Sequence, residues 1–367
     1  MRVLSLALRD FRSYHDVRVS LGSGLTVVVG PNGAGKTNLL EGLYFGCTGR
    51  SCRTANEREV VRFGAATTRV LVQSEAEGGA HQTAVGFTPG QAKRLQVDGA
   101  NVERLIDAPG RPLVSVFLPD RLELVKGPPA LRRAHLDQLL AALWPAQRGV
   151  RSAYARALGQ RNALIARIRR GAGSRASLDS WNLQLARTGI ELMEQRRRAT
   201  EAVRELAASN GALLGLEESL EVQYRSRSEA LEPAQLASEL AARTEQDIER
   251  GFTAHGPHRD DLGLSLGDHD LRAYGSQGQQ RVCLLALLLA ERQAIARQRG
   301  TAPVMLLDDV MSELDHIRRE ALVDLLRSAD GQAVLTTTDL EHVPDATSDA
   351  VVRIAVANGI VLEEAIV

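Results

Sequence analysis

The segment that most constrains the fold is a glycine-rich octet at residues 30–37, which follows the apolar run at residues 25–29. Such a run is typical of a strand that is buried on both faces. The residues that follow, 35–45, place apolar side chains on one side of a helix. A strand, a glycine-rich turn and a helix in this order form a phosphate-loop unit. The sequence therefore predicts an α/β fold with an anion site at the turn.

The octet fits the phosphate-loop pattern at every fixed position. Its glycines let backbone N–H groups approach phosphate oxygens, and the following helix directs the positive end of its dipole at the same anion. Lys36 is predicted to contact the β- and γ-phosphates of ATP, and the Thr37 hydroxyl to bind Mg²⁺. We therefore expect ATP and Mg²⁺ as cofactors, and the predicted binding residues are Gly30, Pro31, Asn32, Gly33, Ala34, Gly35, Lys36 and Thr37.

The second half of such a site is an apolar strand that ends in acid, and residues 304–309, VMLLDD, have this pattern. Asp308 is predicted to hold the magnesium ion. Asp309 would lie where a carboxylate can orient or activate the attacking water. A strand that ends in acids is common, so the prediction depends on its pairing with the octet.

Residues 274–281, YGSQGQQR, resemble the signature motif of the ABC-type ATPases. In that class two heads face each other, and the serine and glycine of one head cover the γ-phosphate held by the other. The resemblance implies that Ser276, Gln277 and Gly278 act in trans on the nucleotide of a partner head. Taken alone, the same residues are a polar turn that opens a helix, with Ser276 as its N-cap.

Two further segments resemble the same class. Residues 312–315, SELD, match its D-loop, and residues 336–339, TTTD, occupy the switch position, where transporters usually carry histidine. The nearest histidine is His342, so Thr338 is the predicted switch residue and the role of the histidine stays open. The predicted catalytic residues are thus Asp309, Lys36 and Thr338.

The rest of the chain divides into an antiparallel block and a helical part. Turn residues separate strand patterns between positions 69 and 97, and helical patterns cover 131–143, 150–170, 177–208 and 277–298. Ser177, Asp179 and Ser180 are possible N-caps of the third helix. The predicted fold class is α/β: an ABC-type ATPase head, with a mixed phosphate-loop sheet and an antiparallel β subdomain, plus a mainly helical second lobe. Lobe I is placed at residues 1–125 and 300–367, and lobe II, with the signature, at 126–299.

Charge is segregated along a chain whose formal net charge is zero. Residues 121–175 carry twelve Lys/Arg against two Asp/Glu, and residues 211–270 carry five Arg against thirteen acids. The basic stretch is either a footprint for a nucleic-acid backbone or a solvated face that the acidic stretch balances. The candidate DNA contacts are Arg132, Arg133, Arg148, Arg151, Arg167, Arg169 and Arg170. Trp144 and Tyr154 are predicted to lie in the core, so stacking on single strands is not expected.

Cysteine usage favours a reducing compartment. Cys47, Cys52 and Cys283 cannot all pair and lack metal-ligand spacing. The N-terminus alternates like a strand and carries charges at Arg2 and Arg9, so it does not resemble a signal peptide. We expect a cytoplasmic protein without a transmembrane segment.

Taken together, these residues resemble the RecF family of bacterial recombination and gap-repair proteins. The strings that carry the resemblance extend along nearly the whole chain: residues 8–14 (LRDFRSY), the octet, 117–122 (FLPDRL), 124–128 (LVKGP), Arg132-Arg133, Leu136-Asp137, 256–261 (GPHRDD), 276–281 (SQGQQR) and 307–310 (LDDV).

The resemblance implies a two-lobed head, ATP-dependent homodimerisation and slow, DNA-dependent hydrolysis that resets the dimer. It also implies binding to duplex DNA beside single-stranded gaps, cooperation with RecR and RecO in placing RecA, and a part in replication, repair and SOS induction. The resemblance further implies that Arg12 contacts a phosphate or the nucleoside. Asp309 is one methylene shorter than the usual glutamate. RecF-like proteins share this aspartate, and the shorter side chain suits a timer better than a motor.

Three other classes of protein share parts of this pattern. The nucleotide-binding subunit of a transporter would need a membrane partner, and a membrane-fraction assay would detect it. An SMC-type scaffold would need a long coiled coil, for which the separation of 240 positions between Lys36 and Ser276 leaves no room. A nuclease-coupled ATPase would need a further carboxylate cluster. His258, Asp260 and Asp261 superficially resemble metal ligands, but a structural ion-pair corner is the preferred interpretation.

Overall fold

The computed structural model describes residues 1–76, 78–328 and 331–365. Within these ranges no helix combines the length and the apolar character needed to cross a membrane. The strands and helices are, in chain order, β1 (Arg2–Phe11), β2 (Tyr14–Ser20), β3 (Leu25–Val29), α1 (Lys36–Thr48), β4 (Thr68–Ala76), β5 (Gly79–Phe87), β6 (Arg94–Val97), β7 (Ala100–Asn101), β8 (Val114–Phe117), α2 (Glu123–Lys126), α3 (Pro129–Leu143), α4 (Gly149–Arg169), α5 (Ser177–Leu213), β9 (Leu220–Arg225), α6 (Pro233–Ala242), α7 (Thr244–Arg250), β10 (Asp261–Leu266), β11 (His269–Asp270), α8 (Leu271–Tyr274), α9 (Gln277–Arg299), β12 (Val304–Leu307), α10 (His316–Ser328), β13 (Ala333–Thr337), β14 (Val351–Ala357) and β15 (Ile360–Ala365).

The chain forms two compact units, Met1–Arg121 with Ile295–Val367, and Leu122–Ala294. The first is called unit 1 below and the second unit 2. The predicted lobe boundaries lie a few residues further along the chain, at 125/126 and 299/300. Residues 77, 329–330 and 366–367 of the predicted lobe I lie outside the described residues.

Unit 1 contains a mixed sheet in the order β15-β14-β3-β13-β12-β8. The five strands from β14 to β8 run parallel, and β15 adds an antiparallel edge. Strands β3 and β12 are almost wholly buried, which explains their continuous apolar sequence. Because β3, β13 and β12 are neighbours and parallel, the segments that follow them emerge at one edge of the sheet.

A second sheet of unit 1 is antiparallel, in the order β2-β1-β4-β5-β6-β7. Helix α1 packs on it through Gly42 and Gly46, one helical turn apart. A Cβ at Gly42 would lie 2.6 Å from Leu8, and one at Gly46 would lie 2.5 Å from Val72. These glycines let the helix that follows the octet approach the sheet closely, and this packing holds the helix against the sheet.

Unit 2 is mainly helical and carries a small antiparallel sheet, β11-β10-β9. Its apolar core lies between α4, α5 and α6 and includes Tyr154, as predicted. A buried ion pair joins Arg161 of α4 to Asp247 of α7, with an N–O distance of 2.7 Å and both side chains at most 1% exposed. Asn182 and Thr253 complete the hydrogen bonds of this guanidinium. Part of the basic stretch of the sequence is therefore internal structure.

The predicted fold class is confirmed, since the mixed sheet, the antiparallel subdomain and the helical unit are all present. The N-cap prediction for α5 is wrong. The helix begins at Ser177, its N-cap position is Ala176, and no side chain caps it. Strand β8 and the elements between residues 214 and 275 have no counterpart in the predicted pattern.

Candidate nucleotide site

The octet connects β3 to α1 and is held by its own lysine. The Nζ of Lys36 donates to the carbonyl oxygens of Gly30 at 2.7 Å and Pro31 at 3.1 Å. Lys36 is only 7% exposed, and burial lowers the pKa of its ammonium group, while Asp309 and Asp308 act in the opposite direction. The cation is thus fixed within the loop by two of the loop's own carbonyl groups.

The backbone of the octet requires glycine at two kinds of position. Gly35 has φ 115°, in the left-handed region that side chains rarely adopt. Gly30 is constrained by close approach, since a Cβ there would lie 2.1 Å from the carbonyl oxygen of Val356. The glycine spacing of the motif therefore follows from the backbone path itself.

The first acid after β12 meets the hydroxyl at the start of α1. Thr37 Oγ1 lies 2.9 Å and 3.0 Å from the two carboxylate oxygens of Asp308. Asp308 also accepts a hydrogen bond of 2.8 Å from Thr336 Oγ1 of β13. Burial raises the pKa of Asp308, and these two hydroxyl donors partly offset that effect.

This pair of groups fits a magnesium ion. A hydroxyl and a carboxylate, both hard oxygen donors, converge next to the phosphate loop and come from two different elements. Thr37 and Asp308 are the residues that would hold the ion.

The second acid, Asp309, has a strained backbone. Its φ and ψ are 48° and 29°, in the left-handed region that non-glycine residues rarely adopt. Its N–H donates to Thr336 Oγ1 at 2.9 Å, and its Oδ2 accepts from Ser312 Oγ at 3.0 Å. Its Oδ1 is buried and has no hydrogen-bond partner among the residues that the structure describes. That oxygen retains the acceptor capacity that a general base requires.

Thr336 is the residue that the sequence did not single out. A backbone N–H can only donate, so the Thr336 hydroxyl must accept from Asp309 and give its own proton to Asp308. One side chain thereby orients both acids. The only signal in the sequence was the run TTTD, in which nothing distinguishes Thr336 from its neighbours.

The switch residues stay predictions. Thr338 is half-buried and directly follows β13. His342 has a buried Nδ1 that lacks a hydrogen-bond partner within the described part of the chain.

Arg12 is engaged by an acid of its own unit. Its Nε and Nη2 donate to the Glu41 carboxylate of α1 at 2.9 Å and 2.8 Å. Glu41 is fully buried and also accepts from Ser51 and Arg53. This network, which sequence reasoning missed, ties the β1–β2 turn to α1. The predicted contact of Arg12 with phosphate or nucleoside stays a prediction.

The signature segment lies in unit 2 and forms a reciprocal helix cap. Ser276 Oγ accepts from the Gln279 N–H at 3.2 Å, and the Ser276 N–H donates to Gln279 Oε1 at 2.9 Å. Ser276, Gln277 and Gly278 are all exposed, and a Cβ added to Gly278 would meet no atom within 4 Å. Ser276 is therefore the N-cap of α9, as its position in the sequence predicted, and the first residues of α9 remain accessible.

The predicted DNA contact at Arg132 needs correction. Arg132 is only 5% exposed, and its guanidinium binds the Asp261 carboxylate through two bonds of 2.8 Å. A further nitrogen donates to the carbonyl oxygens of Val125 and Gly127. With its donors engaged inside unit 2, Arg132 is structural.

The other candidate arginines differ in exposure. Arg133 and Arg148 are half-buried and donate to the carbonyl oxygens of Asp260 and Ala141, respectively. Arg151 is largely exposed and pairs with Asp137 at 3.2 Å. The exposed residues near the end of α4 are Arg167, Arg169 and Arg170. All six stay predictions as DNA contacts.

The residues of the corner at 258–261 form structural contacts, which agrees with the predicted ion-pair corner. His258 Nδ1 lies 2.7 Å from the Tyr154 hydroxyl, and burial lowers the pKa of His258 to about 4. Asp260 accepts from the Tyr224 hydroxyl and from the Arg227 N–H. Asp261 holds Arg132. Each group is thus engaged by its own unit.

The Asp308→Asn change tests the charge at the magnesium position. Because burial raises the pKa of Asp308, its ionised form destabilises the free protein, and that cost grows as pH rises above the ordinary carboxyl pKa. We expect Asp308→Asn to stabilise the nucleotide-free protein at neutral pH by about 1 kcal/mol, since asparagine keeps an oxygen acceptor without the charge.

ATP with Mg²⁺ should raise the melting temperature of the wild type, and EDTA, which removes the metal, should reverse most of that rise. The Asp308→Asn variant should show little rise in melting temperature with ATP and Mg²⁺. Asp324→Asn, an exposed carboxylate of α10, serves as the control. A variant that is less stable than wild type without ligand, yet fully stabilised by ATP with Mg²⁺, would contradict this assignment.

The geometry defines the class: an ABC-type ATPase head, in which a phosphate loop and two acids lie at the carboxyl edge of a mixed sheet. Solved Smc heads share this fold, for example the SmcHead bound to the C-winged helix domain of ScpA, with a TM-score of 0.61 and 16% identity. That structure covers 98% of this chain and 96% of its own. The AAA domain family matches residues 5–104.

The chain belongs to the RecF family. It is 38% identical to the DNA replication and repair protein RecF of Heliobacterium modesticaldum over 93% of each chain. It is 41% identical to that of Anaeromyxobacter sp., over 92% of this chain and 93% of the relative. A solved structure described as the recombination mediator protein RecF with ATP is 26% identical, with a TM-score of 0.85, and covers 99% of this chain and 97% of its own.

Proposed function

We propose that the protein is an ATP-driven DNA-binding switch of recombinational gap repair. One observation carries the nucleotide part of this proposal. Lys36, the Thr37–Asp308 pair and the Asp309 oxygen that lacks a hydrogen-bond partner among the described residues lie at one edge of one sheet. The DNA part rests on the family, whose members are described as DNA replication and repair proteins.

Each side chain of the site has a chemical task in this proposal. Lys36 would exchange its carbonyl contacts for phosphate oxygens, which bind a cation more strongly. Thr37 and Asp308 would hold Mg²⁺, which supplies charge neutralisation at the β- and γ-phosphates. Asp309 would accept a proton from the attacking water through Oδ1, while Ser312 and Thr336 keep its orientation.

The signature segment is the proposed contact with a second copy of the chain. Glycine near the start of a helix costs stability relative to alanine, and the chain's own packing around Gly278 gives no reason for it. Close approach by a partner's nucleotide would be such a reason. ATP would therefore drive a homodimer, and slow hydrolysis would release it.

On this proposal the dimer forms on duplex DNA beside a single-stranded gap and works in the cytoplasm with RecR and RecO to place RecA. Phosphate contacts from exposed α4 arginines would make DNA affinity fall steeply with salt. The proposal is tested by titrating a labelled gapped duplex with the protein, in ATP with Mg²⁺ and without nucleotide. We expect tight binding only with ATP, and equal binding in both conditions would refute the switch.

A further inference from the structure

The antiparallel sheet of unit 1 has an inner and an outer face with different chemistry. Strand residues alternate between faces, and the inner positions Leu6, Leu8, Val70 and Val72 are at most 1% exposed. The strand register aligns the outer positions in rows that cross the sheet.

One of these rows is rich in arginine. From β2 to β6 its members are Asp16, Arg9, Arg69, Gly86 and Arg94. All three arginines are exposed, and none forms an ion pair with an acid of the described residues. Gly86 has no side chain, so the space between Arg69 and Arg94 is open. We call the outer surface that contains this row the arginine face.

The neighbouring rows contain small or neutral side chains and one further arginine. The next row is Arg18, Ala7, Leu71, Ala84 and Gln96, and the one after it is Ser20, Ser5, Gln73 and Gln82. Asp16 is the only acid among these fourteen described positions. The arginine face is therefore open, low in relief and positively charged.

This arrangement has a cost within the chain. Arg9 and Arg69 stand directly opposite each other on adjacent strands, and like charges in that position destabilise a sheet. An extended polyanion laid across the row would neutralise both, and the lack of side-chain relief would allow it to approach. None of the fourteen positions is aromatic, so the face offers no stacking platform for unpaired bases.

We infer that the arginine face binds the phosphodiester backbone of a nucleic-acid duplex. This inference rests on the proposed DNA-binding function, but it assigns the contact to residues of unit 1 and not to the α4 arginines of unit 2. Neighbouring strands lie about 4.8 Å apart, so the row from Arg9 to Arg94 spans about 14 Å, enough to reach several phosphates of a duplex.

The test is a triple variant, Arg9→Gln, Arg69→Gln and Arg94→Gln, compared with wild type by fluorescence anisotropy. The probe is a labelled blunt duplex, in ATP with Mg²⁺, titrated between roughly 50 and 200 mM salt. We expect affinity at the lowest salt to fall at least about tenfold. The slope of log affinity against log salt should become shallower by about 2 to 3, since each lost phosphate contact removes about one counterion.

The matched control removes three arginines that are paired with acids, through Arg175→Gln, Arg197→Gln and Arg204→Gln. This control has the same net charge change and should leave the slope unchanged. The melting temperature of the test variant should equal or exceed that of the wild type, because a repulsive pair is removed. Its ATP affinity should equal that of the wild type.

The outcomes separate the inference from the proposed function. If the wild type does not bind the duplex in ATP, both fail. If the wild type binds and the triple variant shows the same affinity and slope, the inference alone fails. It also fails if duplex binding is unchanged while binding to polyglutamate is lost, since the face would then fit an acidic protein.

Discussion

Lys36→Met is expected to abolish tight ATP binding. Methionine has the length of the lysine stem but no charge, and the site would lose the cation that is fixed by Gly30 and Pro31. Charge-assisted hydrogen bonds to phosphate contribute roughly 1.5–3 kcal/mol each, so two of them correspond to a loss of about 100-fold or more in affinity. Equilibrium binding of a fluorescent ATP analogue measures this loss of affinity.

Lys126, an exposed lysine of α2, provides the matched control as Lys126→Met. It should bind ATP as the wild type does. Because the Lys36 ammonium group carries a desolvation cost in the free protein, Lys36→Met should fold normally. A correctly folded Lys36→Met protein with unchanged ATP affinity would show that the octet is not the nucleotide site.

Asp309→Asn is expected to stop hydrolysis without stopping binding. Asparagine keeps the shape and can still accept from Ser312, but it removes the basic oxygen, and a general base contributes about 10²- to 10⁴-fold to the rate. Single-turnover hydrolysis should fall by about 100-fold or more, while ATP affinity changes little. The variant should accumulate in its ATP-bound, dimeric state.

The exposed carboxylate Asp324 again serves as the control, as Asp324→Asn, with no expected effect on rate. If Asp309→Asn hydrolyses ATP at the wild-type rate, Asp309 is not the base. The buried Nδ1 of His342, which has no hydrogen-bond partner in the part of the chain that the structure describes, would then be the next group to examine.

The segments of the candidate nucleotide site could be identified from sequence because each of them is a short, continuous motif. The backbone of the octet requires glycine, so its glycine spacing is visible in the sequence. The acids at 308 and 309 end an apolar strand, and parallel pairing brings the end of that strand close to the octet. What the sequence could not show is which polar residue of β13 faces the acids. In the structure all five residues of β13 are buried, so a correct prediction of burial would still not have distinguished Thr336 from Thr337.

The error at Arg132 has a different physical origin. A count of basic residues along the chain does not separate a guanidinium paired inside the fold from one that faces water. Arg132 pairs with Asp261 and Arg161 with Asp247, partners 129 and 86 positions away, so long-range contacts decide the exposure of each. The arginine face shows the converse case: its residues come from strands far apart in sequence, and only the strand register aligns them.

Unit 2 was the least predictable part for a related reason. Strands β9 and β10 pair across more than thirty residues that include α6 and α7, and their apolar runs are short. In such segments the pairing partner, and not the local pattern, decides whether a strand forms.

The most direct test is sedimentation velocity of Ser276 variants with ATP and Mg²⁺. It asks whether ATP drives dimerisation through the signature segment. Ser276 also caps α9, so the variants must keep the cap, and both aspartate and asparagine are good N-caps. Ser276→Asp places a negative charge where the partner's γ-phosphate is proposed to lie, whereas Ser276→Asn is neutral. We predict that wild type and Ser276→Asn dimerise with ATP, and that Ser276→Asp binds ATP but stays monomeric. A Ser276→Asp protein that dimerises as the wild type does, or a wild type that stays monomeric with ATP, would contradict the account.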